Sequence, residues 1–385
     1  MQQYAVRDFE FRSGASHDFP FDVDFSAVFH GPDGRELVVP GFYDGDGIWK
    51  VRFSPTATGE WTFETRSTDA DLDAIRGDPV QCTPNENPAV HGGLLVDRAH
   101  PHHFIWEDGT RYFLAGDECD WLFALELDLA ERYLDGLAAH GFNHVLMQVY
   151  AHHADWGLGK PHCVSPPSMY PWAGTNRRPD HSQLNPNFFR HLDRVIDNMH
   201  QRGIVSNLMV LVHNKHVQWP RFGSPEDDRY WRYLVARYQA YCNIVWNLSK
   251  EGWYVKDPDY WDSRVDLIRR LDAYGRLITI HDVNLPKADF LADQQHSDFY
   301  NHIIAERHSR RWPVVNVEFG YEPGPIDVYH STHPEELRRR LWQIYMAGGY
   351  GVYYYTNTAW DVVSLEPEPR GYDWMAALVK AFSRL

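Results

Sequence analysis

The sequence predicts a mixed α/β fold: a (β/α)8 TIM barrel preceded by a small antiparallel β-sandwich. Three observations predict it. Short runs that alternate apolar and polar residues, separated by Gly, Pro and Asp, fill residues 1–95. From residue 100 onward, strand-like runs alternate with helical stretches, the pattern of βα units around a parallel sheet. No Gly-rich phosphate turn follows the first of those strands, as an open doubly wound sheet would usually carry.

In chain order, the sandwich strands are expected at residues 19–25, 36–40, 48–53 and 59–65, with a turn at 43–47. Residues 83–88, rich in Pro and Asn, read as a linker. An immunoglobulin-like domain over residues 1–95 and a catalytic barrel over 96–385 follow. The eight barrel strands are expected at 112–115, 144–149, 204–210, 244–247, 277–280, 288–291, 314–317 and 351–355. Helices are expected at 129–140, 188–201 and 335–346. The second of these carries Phe189, Leu192, Val195, Ile196 and Met199 as a stripe at helical spacing. A long loop, with Arg177 and Arg178 as solvated charges, follows the second barrel strand.

Bulk composition narrows the function. A net charge of −16 repels nucleic acid phosphates and anionic membranes, so neither is expected as a partner. No apolar run reaches the length of a membrane span. The N-terminus has no basic start or apolar stretch of the secretory kind, and Met1 reads as an initiator. The four cysteines, Cys82, Cys119, Cys163 and Cys242, form no CxxC pair; scattered reduced thiols and a cytoplasmic location are expected. The 15 Trp, 22 Tyr, 20 Phe and 22 His suit a surface that stacks on sugar rings and hydrogen-bonds their hydroxyls, or a large aromatic core. The partner expected is therefore a carbohydrate, with a homo-oligomer left open. No cofactor or metal is expected.

The active site of a TIM barrel lies at the C-terminal ends of its strands. Reading those ends in turn gives Asp117, Asp120 and Trp121 at strand one, then Gln148 and His152, then His213 and Asn214. Asn247 and Glu251 follow at strand four, His281 at strand five, Gln294 and His296 at strand six, Glu318 at strand seven and Trp360 after strand eight. Glu251 and Glu318 stand on opposed strands. Two carboxyls across a barrel mouth are what glycosidic cleavage needs: one protonates the leaving oxygen, and the other attacks the sugar or activates water. Glu318 follows an apolar strand directly, so its charge must be compensated there. Asp120 could instead cap the next helix, and Trp360 could be core. The histidines taken singly are ordinary structural residues.

At these positions the chain resembles the clan A glycoside hydrolases, and more narrowly bacterial glycoside hydrolases that join an N-terminal β-sandwich to such a barrel. The residues that carry this are the run 42–55 (FYDGDGIWKVRFSP), Gly59-Glu60-Trp61, His91-Gly92, the run 106–113 (WEDGTRYF) and Asp120-Trp121-Leu122. The run 243–251 (NIVWNLSKE), Gln294-Gln295-His296 and Val317-Glu318-Phe319-Gly320 complete it. The resemblance implies a retaining mechanism, with Glu318 as nucleophile and Glu251 as acid/base, and Trp360 as a platform under the sugar. An exo-acting enzyme is the expectation. The related barrels have Asn immediately before the acid/base; this chain has Lys250, which is expected to lower the pKa of Glu251. Asn247 could supply the missing contact. Two other readings compete: a non-catalytic carbohydrate-binding barrel, and a metal-dependent barrel hydrolase or isomerase invited by the 22 His, although His100, His102 and His103 precede strand one and lie toward the barrel bottom.

Overall fold

The computed structural model describes residues 1–152, 169–325, 331–360 and 363–382; Cys163 lies outside them. The first seven strands form two antiparallel sheets. One is β1 (Arg7–Arg12), β5 (Ile48–Phe53) and β4 (Phe42–Gly45) in that order; the other is β3 (Glu36–Pro40), β2 (Phe25–His30), β6 (Gly59–Ser67) and β7 (Val80–Cys82). Inward residues of both sheets share one apolar cluster, in which Phe29 stacks flat on Phe53 with ring centroids 3.8 Å apart. That is a sandwich, as alternation predicts. The run at 19–25 is not one strand. Pro20 fixes the backbone for a short 3-10 turn (Pro20–Asp22), and the strand starts only at Phe25.

A three-stranded antiparallel sheet comes next: β8 (Leu94–Val96), β9 (Phe104–Trp106) and β10 (Arg111–Tyr112). It lies against the N-terminal ends of the barrel strands, where the Tyr112 hydroxyl donates to the Asn143 carbonyl at 3.1 Å and Phe104 packs on Phe290 and Tyr350. Tyr112 thus belongs to this floor, and the expected strand at 112–115 is displaced: the first barrel strand is β11 (Gly116–Glu118). His102 and His103 bond to Trp312 and Tyr350 at the same end, far from the strand termini that carry chemistry.

The barrel is an eight-stranded parallel sheet. Its other strands are β12 (His144–Gln148), β15 (Val205–Val212), β16 (Ile244–Lys250), β17 (Ile278–Thr279), β18 (Leu291–Asp293), β19 (Val314–Asn316) and β20 (Tyr350–Tyr353). The order runs β17-β16-β15-β12-β11-β20-β19-β18, and a parallel bridge between His281 and Ala292 joins the two ends. Strand six starts three residues later than the expected 288–291, because Asp289 turns back to accept from the Ile278 amide. The hairpin β13 (Trp172–Thr175) and β14 (Arg178–Leu184) stands in what was expected to be a plain loop.

Helices α1 (Leu127–Ala139), α2 (Pro186–Gln201), α3 (Pro225–Tyr238), α4 (Pro258–Leu271), α5 (Phe299–Ser309), α6 (Pro334–Met346) and α7 (Arg370–Phe382) complete the described elements. Four of them open with Pro after a side-chain cap, from Asn185, Ser224, Asp257 and His333. The cap satisfies a free amide, and the proline gives up none that is needed.

The sandwich is fixed to the barrel by buried charges. Arg52 of β5 and Arg237 of α3 both grip Asp193 of α2, at 2.9 and 2.7 Å. Arg237 also reaches Asp44 of β4 at 2.9 Å. The two arginines hold Asp193 well below the usual carboxylate range, against the opposing effect of burial.

Candidate active site

Glu318 is the second residue beyond β19. Its amide donates to the Asn316 side chain at 3.1 Å, while Asn316 donates to the Gln295 carbonyl at 2.9 Å, so the strand end is held to its neighbour. Gly320, at φ 136°, has no room for a side chain: a Cβ would lie 2.8 Å from Arg340. Fixed in this way, the carboxylate is only 4% exposed yet lines a cavity of about 550 Å³ at the C-terminal mouth of the barrel. Tyr321 donates its hydroxyl to Oε1. The other oxygen, Oε2, has no hydrogen-bond partner and lies 3.8 Å from both Lys250 Nζ and His281 Nε2. One oxygen is anchored and the other is left available.

Glu251 lines the same cavity from the end of β16. Its backbone is left-handed, φ 44° and ψ 56°, a conformation that costs a non-glycine residue energy and is commonest where a site demands it. The following Gly252 permits it. A Cβ there would meet Ile280 at 2.4 Å, and its amide donates to the His281 carbonyl at 2.9 Å. Asn214 donates its side-chain amide to Oε2 of Glu251. Burial raises the pKa of Glu251; Lys250 and Lys215 oppose the rise, and Glu318 and Asp120 reinforce it. The expected downward pull of Lys250 is present, yet the net shift is upward. The lysine pulls downward, but desolvation in the wall of the cavity is the larger effect.

Lys250 lines the same cavity and is only 2% exposed. Its ammonium donates to Glu118 at 2.8 Å and to the Tyr354 hydroxyl at 3.3 Å, and lies 3.6 Å from Asp120. Burial alone would discharge the lysine. The carboxylates of Asp120, Glu118, Glu318 and Glu251 instead hold its pKa well above the ordinary range. Burial drives Glu118 the other way, well above the usual carboxylate range, and the neighbouring acids add to this. His281 is held neutral by burial and by Lys250, and shares a 3.0 Å hydrogen bond with Gln294.

Of the residues expected at the rim, Asn214, Glu251, Gln294, His296, Glu318 and Trp360 line the cavity together. Trp360 packs at a tilt on Tyr321 and Tyr354, ring centroids 5.4 and 5.5 Å away. Asp120, His281 and Asn247 form the layer beneath. Asp120 faces Lys250 and caps no helix, and Asn247 accepts from the His281 amide at 3.2 Å. Asn247 thus does not reach the cavity wall as a substitute for the missing Asn.

The remaining expected residues lie elsewhere. Asp117 points away from the axis into the helical layer, where Tyr133 of α1 and Tyr372 of α7 donate to it at 2.6 and 2.9 Å. Trp121 is buried against Phe123, and His213 packs among Trp219, Phe222 and Trp261. Gln148 is fully buried, its amide without a hydrogen-bond partner. His152 borders a second cavity of about 470 Å³, with Arg177 and Lys215. Lys215, Lys250, Tyr254 and Tyr321 line the main cavity without having been expected there. Among the described residues, no three His, Cys, Asp or Glu side chains gather as a metal site requires.

Residues 99–382 match the family described as Apiosidase-like, catalytic domain, and residues 1–68 match a domain of unknown function, DUF5060. A candidate glycoside hydrolase of Bacteroides vulgatus ATCC 8482 superposes with a TM-score of 0.86 at 23% identity, covering 100% of this chain and 78% of that one. An endo-1,4-beta-mannanase from Rhizomucor miehei gives a TM-score of 0.55 at 10% identity, over 76% of this chain and 100% of its own. A glycoside hydrolase family 5 mannosidase from the same organism gives 0.53 at 12%, over 77% and 99%. At these identities the likeness is one of fold. No curated protein matches the sequence.

Proposed function

This chain belongs to the apiosidase-like family of catalytic domains, a family of glycoside hydrolases, and from that membership we propose that it cleaves a glycosidic bond with retention, using Glu318 as nucleophile and Glu251 as general acid/base. The observation that carries the proposal is that both carboxylates line one cavity, Glu318 with Oε1 anchored by Tyr321 and Oε2 without a hydrogen-bond partner, and Glu251 desolvated in its wall. Retaining cleavage asks for one carboxyl that stays ionised to attack and another that holds a proton to give away. Tyr321 donates to one oxygen of Glu318 and Lys250 lies 3.8 Å from the other, while desolvation favours the protonated form of Glu251.

In the first step, Oε2 of Glu318 attacks the anomeric carbon as Glu251 protonates the departing oxygen. In the second, Glu251 takes a proton from water, and that water displaces Glu318. Trp360 offers the sugar an aromatic wall. The cavity is of a size for a small ligand, which favours removal of a terminal residue over cutting within a long chain. The family description makes an apioside the first substrate to try. A cytoplasmic enzyme acting on short glycosides, with residues 1–95 as an accessory sandwich, belongs to the same proposal.

The test is a panel of 4-nitrophenyl glycosides, including the β-D-apiofuranoside, with the first-formed anomer followed by proton NMR. Glu318→Gln is expected to abolish turnover while the protein stays folded. Glu251→Ala is expected to slow poor leaving groups most, by ~10²–10⁴ as for loss of a general acid, and to be rescued by azide. Inversion at the anomeric centre, or full activity in Glu318→Gln, would refute the assignment.

A further inference from the structure

The turn that follows Glu251 carries two aromatic rings into solvent. Trp253 and Tyr254 are 47% and 48% exposed, and they stack on each other with centroids 4.0 Å apart and planes 21° apart. Among the other exposed aromatic rings of the described residues, Trp342 packs at a tilt on Phe382 and Phe222 on Tyr260, while Phe19 and Tyr300 lie on other surfaces. Half-exposed Trp beside half-exposed Tyr presents an apolar face to solvent next to the cavity.

Their position is built, not accidental. The pair rides on a 3-10 turn (Gly252–Tyr254) whose first residue is pressed against Ile280 and Val283. Tyr254 donates its amide to the Glu251 carbonyl at 3.1 Å, and Val255 to that of Gly252 at 3.1 Å. The rings are therefore fixed relative to the Glu251 carboxyl, and Tyr254 forms part of the cavity wall.

Resting on the assignment of Glu251 as the acid that protonates the leaving oxygen, we propose that the Trp253–Tyr254 pair is a binding platform for the leaving group, and that this leaving group is itself a ring, a second sugar or an aryl aglycone. The geometry follows from the chemistry. The group bonded to the departing oxygen must lie on the side of the cavity from which the proton comes, and the pair begins two residues after that proton donor. A sugar ring offers an apolar C–H face to an aromatic ring, as an aryl ring offers its own face. Trp360, on the eighth strand's loop, serves the sugar being cleaved; Trp253 and Tyr254 serve what is cleaved from it.

The test measures binding in the Glu318→Gln background, so that nothing is turned over. Paired probes share a sugar and differ in aglycone: 4-nitrophenyl and methyl β-D-apiofuranosides, then the two β-D-mannopyranosides. The parent protein is expected to bind the nitrophenyl member about tenfold tighter. Trp253→Ala is expected to erase that preference, and Trp253→Phe to keep most of it. Equal affinity for both members in the parent, including no binding of either, overturns the platform, as does a preference untouched by Trp253→Ala. A ring preference lost in Trp253→Ala, together with a wild-type protein that cleaves none of the probes, upholds the platform and overturns the hydrolase mechanism instead.

Discussion

Lys250, at the end of the fourth barrel strand, donates a 2.8 Å hydrogen bond across the barrel to Glu118 of the first. Both groups are buried, and the same ammonium lies 3.8 Å from Glu318. Removing one member of such a pair strands the other's charge in a poor solvent. Lys250→Met is expected to lose roughly 3–5 kcal/mol of stability in chemical denaturation. It is also expected to lose most of its activity, because the ammonium 3.8 Å from Glu318 is gone. Glu118→Gln added to Lys250→Met should recover part of the stability and none of the activity. A double variant no more stable than the single one would show that the pair is not coupled.

Asn214 predicts a shift in pH dependence. A general acid works only while protonated, so kcat/KM falls as pH rises through the pKa of Glu251. Burial already raises that pKa. Asn214 donates to Oε2 and so favours the ionised form. Asn214→Ala removes that donor, and the alkaline limb of the profile is expected to move to higher pH. A limb that stays put, or moves down, would show that the residue titrating there is not Glu251.

Asp117 predicts a stability change without a catalytic one. Burial pushes its carboxyl up to about 7, although two tyrosine hydroxyls donate to it. An acid whose folded pKa lies above its unfolded value binds more protons in the native state. Native stability from this group is therefore present below about pH 4 and is lost as pH rises toward 7. Asp117→Asn keeps an acceptor for the hydroxyls and has no charge to bury. It is expected to melt near the wild type at pH 4 and above it at pH 8, on the order of 1 kcal/mol or more. Equal melting curves at pH 8 would contradict the raised pKa.

Asp117 also shows where the sequence runs out. Adjacent residues on a strand face opposite sides, so only one of Asp117 and Glu118 can enter the barrel. Nothing local says which. The apolar run at 112–115 looked like the strand itself, when Tyr112 in fact closes the floor beneath it. The register of strand one decided both matters, and register is set by pairing with distant strands. Glu318 was legible because it ends a run of valines whose burial leaves one direction for the next polar group. Helices α2 and α6 were legible to within two residues of their ends, α2 from its apolar stripe, which is local. Lys250 was visible only as an anomaly beside Glu251. Its partners Glu118 and Asp120 lie over a hundred residues away, and no spacing rule connects them.

The grip of Arg52 and Arg237 on Asp193 bears on how the chain could be cut down. A barrel stripped of its first 95 residues would keep Arg237 and Asp193 but lose Arg52 and Asp44, two of the four groups that neutralise one another there. The exposed remainder would sit on the outer faces of α2 and α3, the helices whose packing steadies the third and fourth strands and, through them, Asn214 and Glu251. The sandwich acts as a keystone in this arrangement, and a barrel made without it is expected to unfold at lower denaturant than the whole chain.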